Sequence, residues 1–191
     1  TRRTCSGEIM QNFNKGNFKL SFSDYSSIIQ DKTGELFKAS CQAGAYLSGH
    51  SSHVIDVVGE FGLSLGLNYQ ILDDLVDTFG TADKAGKSLG TDFIGGKITL
   101  PLILLFEGLT LHERKKVIGL LSADPSKPST REVINNLMIE HQIQTHCIKF
   151  LRNNLIETKN IVANIASDGI SRRLTTFLSS FDEKLAFVLP D

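Results

Sequence analysis

Between Gly62 and Pro101 three carboxylates, Asp73, Asp74 and Asp77, stand in an otherwise apolar stretch, and Lys84, Lys87 and Lys97 follow within two dozen residues. A carboxylate buried without a partner loses its hydration at great cost, so these acids must be paired or must hold something. On a helix Asp73 and Asp77 are i and i+4 and lie one above the other. Gln70 and Gly66 continue that stripe backwards, while Asp74 is turned to one side. Carboxylate oxygens projecting into a cavity suit a hard cation such as Mg2+, which is usually shared between one or two carboxylates and substrate phosphates. Lysines close by would hold the phosphate charge the metal leaves over.

The elements that position these groups read as helical. Trp is absent, Pro is scarce, and apolar residues recur at threes and fours, which favours an all-α protein. Thr1 to Asn12 ends a helix, and N-K-G-N-F-K-L-S is a loop. A helix from Tyr25 to about Leu47, capped by Ser23 or Asp24, has Ile28, Ile29, Leu36, Phe37, Cys41, Ala45 and Tyr46 as its apolar positions. Lys32 and Thr33 fall early in it; Lys32 by itself reads more readily as a solvated surface lysine than as a ligand-binding one. A long helix from about Val54 to Phe79 is apolar around most of its circumference, as the central helix of a bundle is. Gly59, Gly62 and Gly66 each cost it roughly 1 kcal/mol relative to Ala, which points to close packing or ligand approach. Thr81 to Gly96 reads as a loop, and Lys97 to Gly108 as the start of a buried helix with Pro101 in its first turn. Further helices are expected over Leu109 to Leu121, Thr130 to His141 (capped by Ser129 or Thr130), Thr145 to Ala166 and Ile170 to Leu189.

The totals narrow the function classes. The chain's 191 residues suffice for one domain with a sizeable core. A net charge of −1 with mixed signs gives no basic face for nucleic acid or a membrane surface. Cys5, Cys41 and Cys147 form no C-x-x-C and read as reduced thiols of a cytoplasmic protein. No apolar run is long enough for a transmembrane helix, and T-R-R-T-C-S-G-E is no signal peptide. His50, His53, His112, His141 and His146 share no ligand spacing and read as surface or satisfied side chains. The first residue is Thr1 rather than Met, and the expectation is a chain that starts partway into a longer product.

The run G-L-N-Y-Q-x-x-D-D-x-x-D, followed by G-K-S-L-G-T-D-x-x-x-G-K-x-T-L-P, resembles the second aspartate-rich region of the trans-isoprenyl diphosphate synthases, the polyprenyl synthetases. A bare D-D-x-x-D is a weak signal; the whole run through Pro101 is specific, and its tail argues against a class I terpene cyclase. The resemblance implies an isoprenoid-synthase-type helical bundle, here one domain over 1–191 lacking its N-terminal helices. It also implies a Mg2+-dependent prenyltransferase condensing isopentenyl diphosphate with an allylic diphosphate. By that resemblance Asp73 and Asp77 carry metal and Asp74 supports or shares it, all three being catalytic. Lys32, Thr33, Gln70 and Lys87 hold the diphosphate, with Lys87 on a flap formed by the 81–96 loop. Gln11, in G-E-I-M-Q, lines the pocket, polarity at the edge of the core being an equal reading of it, and Lys97 has a supporting or packing role. Members are usually dimeric, so a homodimer is expected, with a heteromer as the alternative.

The departures matter. The family's first aspartate-rich motif lies upstream of G-E-I-x-Q, and no second D-D-x-x-D exists in this sequence; Tyr69 stands where Phe is usual. Half of a two-motif metal site implies weak diphosphate binding without completed reaction by the chain as it stands. Two readings follow: the C-terminal part of a complete enzyme, or a non-catalytic binding or regulatory subunit of a heteromeric synthase. Either way the Val54–Phe79 helix is expected to expose apolar faces and favour association.

Overall fold

In a computed structural model the described residues are 1–80, 90–163, 165 and 168–188, and all regular structure among them is helical. Chain order is α1 (Arg2–Phe13), α2 (Phe22–Ile29), a π-turn (Gln30–Gly34), α3 (Glu35–Leu47), α4 (Ser52–Phe79), α5 (Thr91–Ile94) and α6 (Leu100–Gly108). Then come α7 (Leu111–Ala123), α8 (Pro128–Glu140), α9 (Ile143–Ala163) and α10 (Asp168–Val188).

The 28-residue α4 is the axis. It touches α2, the π-turn, α3, α5, α6, α9 and α10. Phe61, Leu65, Ile71 and Leu75 on it are buried with Leu105 of α6, Leu151 of α9 and Leu185 of α10. Its three glycines are there for packing. A Cβ at Gly62 would stand 2.7 Å from the Phe37 carbonyl oxygen, one at Gly66 2.8 Å from Gly34 Cα, and one at Gly59 2.7 Å from Gln42. Helix α3 and the π-turn therefore lie directly on the backbone of α4.

The structure revises several expectations. The single helix over Tyr25–Leu47 is two helices joined through the π-turn, and its cap is Ser21, whose hydroxyl accepts from the Asp24 amide at 3.1 Å while the Asp24 carboxylate accepts from the Ser21 amide. A π-turn inserts one residue into the helical count, so the faces before and after it no longer align. That is why Leu36 and Tyr46 point to solvent while Ala45 is buried. Helix α8 starts at Pro128 with Lys127 as its N-cap, so neither Ser129 nor Thr130 caps it. The 81–96 stretch contains the short α5 where a continuous loop is expected. Nor does α4 expose its apolar faces. Among its large apolar side chains only Tyr69 is open, whereas Ile9, Met10 and Phe13 of α1 and Leu47 of α3 are exposed. The His141 Nε2 is buried without a partner, so this histidine is not satisfied among the described residues.

Candidate active site

The site is assembled from α1, α2, the π-turn, α4, α5 and the turn into α6. Gly7 starts it. A Cβ there would be 2.4 Å from the Lys32 amide nitrogen, so α1 rests backbone-to-backbone on the π-turn. One turn on, α1 carries two groups to the Lys32 ammonium, which donates to Gln11 Oε1 at 2.6 Å and pairs with Glu8 Oε2 at 2.8 Å. Lys32 holds the Glu8 carboxyl below the usual range, first by its hydrogen bond. Glu8 is largely exposed, so this pair adds little stability.

Thr33 faces the other way. Its hydroxyl donates to Gln70 Oε1 at 2.9 Å, and Gln70 Nε2 donates to Asp74 Oδ1 at 3.0 Å. The Tyr25 hydroxyl closes the path, donating to Asp74 Oδ2 at 2.7 Å. Asp74 is 2% exposed, and burial pushes its carboxyl up to about 7 against the Tyr25 and Gln70 hydrogen bonds, which favour the charge. Burial, helped by Asp74, raises the Tyr25 hydroxyl well above its ordinary value.

Asp77 is buried too, and it caps α5. Its Oδ1 accepts from the Thr91 amide at 3.2 Å and the Thr91 hydroxyl at 3.0 Å, and its Oδ2 from the Asp92 amide at 3.1 Å. Asp92 in turn pairs with Lys97. Burial opposes the charge on Lys97, yet the hydrogen bond and field of Asp92, with Asp74 and Asp77 beyond, raise its pKa. A cleft of about 200 Å³ opens beside Asp77, lined by Thr78, Gly90, Arg131 and Asn135 among others.

The structure thus brings together Gln11, Lys32, Thr33, Gln70 and Asp74, and draws Asp77 and Lys97 to α5. Asp73 lies on the same stripe of α4 and is half-buried, more open than Asp74 or Asp77. Lys84 and Lys87, with the proposed flap, lie outside the described residues. Participants that escaped the sequence reading include Glu8, Tyr25, Thr91 and Asp92. Tyr25 had a usable signal, because a buried acid demands a donor and a tyrosine at the start of an apolar helix can supply one.

The donor set fits a hard cation, since its oxygens are carboxylate oxygens. A carboxylate offers about four lone-pair sites, and the hydrogen bonds above occupy three on Asp77 and two on Asp74. No three His, Cys, Asp or Glu among the described residues are grouped to hold a metal alone. A cation here would complete its shell with oxygens from a phosphate or from another polypeptide segment.

Comparison with known proteins places this geometry in context. The family model described as polyprenyl synthetase matches residues 1–138. Heptaprenyl diphosphate synthase component 2 of Bacillus subtilis (strain 168) is 35% identical over 115 residues, which are 60% of this chain and 33% of that protein. A decaprenyl diphosphate synthase from Rhodobacter capsulatus superposes with a TM-score of 0.85 at 22% identity, over 99% of this chain and 57% of that one. A polyprenyl synthase from Caulobacter crescentus CB15, solved with calcium and isoprenyl diphosphate, gives a TM-score of 0.80 at 28% identity, over 98% of this chain and 55% of that one. The chain thus spans about a third of its curated relative and little more than half of the solved structures.

Proposed function

The chain belongs to the polyprenyl synthetase family, and from that premise we propose that it supplies the half of a prenyltransferase site that holds the allylic diphosphate. The reaction is condensation of isopentenyl diphosphate with an allylic diphosphate to give a longer trans-polyprenyl diphosphate. The carbon–oxygen bond to the allylic diphosphate breaks, its electron pair leaving with the diphosphate. The double bond of isopentenyl diphosphate forms the new carbon–carbon bond, and a proton is lost to restore an alkene.

Asp73 and Asp77 would hold Mg2+, with Asp74 in support, and bound Mg2+ would stabilise the charge that grows on the leaving diphosphate. Lys32, Thr33, Gln70 and Lys87 would bind the diphosphate oxygens; Lys32 and Thr33 reach it from the two sides of the π-turn. The buried Tyr25–Asp74–Gln70 path keeps the Gln70 amide in one orientation. The observation that carries this reading is that path, because it ties the π-turn residues to the aspartate motif across 37 residues of sequence. The calcium and isoprenyl diphosphate held by the Caulobacter protein support the pairing of metal with diphosphate.

The test is a condensation assay with labelled isopentenyl diphosphate, an allylic diphosphate and Mg2+, on the protein as the cell translates it. Asp73→Ala is expected to lower the rate on the order of a hundredfold or more. A rate within a few-fold of the parent overturns the metal assignment.

A second reading is a binding or regulatory subunit of a heteromeric synthase, and the match to a protein named as component 2 favours it. On that reading the polypeptide is inert alone and activity appears when its partner is added. Exposed Ile9, Met10 and Phe13 on α1 support an assembled state, homodimer or heteromer, and the free Cys5, Cys41 and Cys147 support a reducing compartment, the cytoplasm.

A further inference from the structure

We propose that Thr158 of α9, acting through Asn68, is a positioning residue for the diphosphate site on the opposite face of α4. The proposal rests on the reading above of Gln70 and Asp73 as diphosphate and metal holders.

The back face of α4 packs on α9 mainly through apolar side chains, interrupted by one polar cluster. Asn68 is 1% exposed and Thr158 0%. Ser64 and Asn68, one turn apart on α4, both meet the Thr158 hydroxyl, at 2.6 and 2.8 Å. The Thr158 hydroxyl donates to the Asn154 carbonyl at 2.8 Å. Its lone pairs therefore accept from both the Ser64 hydroxyl and the Asn68 amide, and the cluster has one consistent arrangement of hydrogens. Asn68 Oδ1 is left buried with no partner among the described residues.

An unpaired buried acceptor is costly. An apolar side chain at position 68 would avoid that cost, so stability supplies no reason for the amide. What the amide adds is direction. Apolar burial is indifferent to modest rotation, whereas hydrogen bonds fix an angle. In the N-terminal half Gly59, Gly62 and Gly66 present bare backbone to α3 and the π-turn, and the Lys38–Glu60 pair that joins α3 to α4 there is exposed and fixes the angle only weakly.

Gln70 follows Asn68 by two residues, roughly 200° around the helix and about 3 Å along it. The clamp and the site are thus opposite ends of one lever across α4. A rotation of about 20° swings a side-chain end by about 2 Å at the helix perimeter. That displacement is enough to part the Thr33–Gln70–Asp74 hydrogen bonds of 2.9 and 3.0 Å. Misplacement by even about 1 Å can cost as much as a hundredfold in function.

Two readouts test it: calorimetric titration of inorganic pyrophosphate in the presence of Mg2+, and the NMR signals of the Gln70 side-chain amide. Thr158→Val keeps the shape and removes the hydroxyl. It is expected to shift the Gln70 amide signals and to weaken binding ~10-fold. Thr158→Ser restores the hydroxyl and should return both readouts to the parent. Ile148→Val, a core trim on the same helix, should lower the melting temperature and move neither. Asn68→Leu removes donor and orphan acceptor together; it should melt at or above the parent and still shift the Gln70 signals, which also covers a Thr158→Val that fails to fold. Unmoved Gln70 signals in Thr158→Val or Asn68→Leu overturn the proposal, as does a Thr158→Ser that stays shifted. If the parent itself binds no pyrophosphate with Mg2+, the diphosphate reading falls, and the Gln70 signals alone still decide whether Thr158 positions that side chain.

Discussion

The two halves of α4 turn the same face toward α2, α3 and the segments around them, and use it in opposite ways. From Gly59 to Gly66 the face is opened by three glycines, and α3 with the π-turn settles on backbone, with Leu63 beside Gly34. From Gln70 to Asp77 it carries an amide and three carboxylates, with Tyr25, Thr33, Thr91 and Asp92 donating into it. The first half is held chiefly by shape, its Lys38–Glu60 pair being largely exposed and of small effect. The second is held by donors that must match charge, so it responds to pH and to loss of single hydrogens. A site needs both: the glycines bring the π-turn close enough for Thr33 to reach Gln70, and the donors hold the acids once there.

The sharpest contrast lies in pH dependence. Asp74 has a folded-state value of about 7, raised from 3.8 by burial. Its contribution to stability is therefore fully present below about pH 4 and is lost as pH rises through about 7. Asp74→Asn has no such component, so relative to the parent it should gain up to about 4 kcal/mol between pH 4 and 8 with metal chelated. Parallel stability-against-pH curves for the two proteins would sink the claim that Asp74 is buried and strained by its charge.

Next in size is a break in the dry half. Gly62→Val would drive a side chain into the Phe37 carbonyl and Cys41. The expected loss is about 3 kcal/mol, or ~6–12 °C in melting temperature, equal at pH 5 and pH 8. A loss that varied with pH would mean that the two halves are not separate in kind.

Tyr25→Phe removes one hydrogen bond from the buried carboxylate and nothing else. It should cost about 2 kcal/mol at pH 8 and less at pH 5, where Asp74 is protonated. Urea unfolding at the two pH values checks this; equal losses would show that the hydroxyl serves packing rather than charge.

Much of this could be read from the chain before folding. The run through Pro101 located the aspartate motif on its helix, and the three-and-four spacing gave the all-α class, because both signals are local. The glycines announced a close approach without saying to what. The π-turn was invisible, since the apolar pattern on either side of Gln30–Gly34 continues as if uninterrupted. Within that turn Lys32 reaches α1 while Thr33 reaches α4. Tyr25, Asp92 and Thr158 were missed for a related reason. Each meets its acid or amide across the fold, Thr158 at 90 residues from Asn68, and no periodicity reports such a pair.

By itself, then, the sequence determined the all-α class, the long central helix with its stripe of acids, and the family to which that helix belongs. Those follow from backbone geometry and the free energy of burying apolar surface, which neighbouring residues carry locally. Only the tertiary structure decided which donors the buried acids find. It set Asp74 against Tyr25 and Gln70, turned Asp77 to cap α5, left Asp73 the most open of the three, and pinned the back of α4 at Thr158. Charge and hydrogen bonding are settled by what stands within about 3 Å, and that is known only once distant segments have packed.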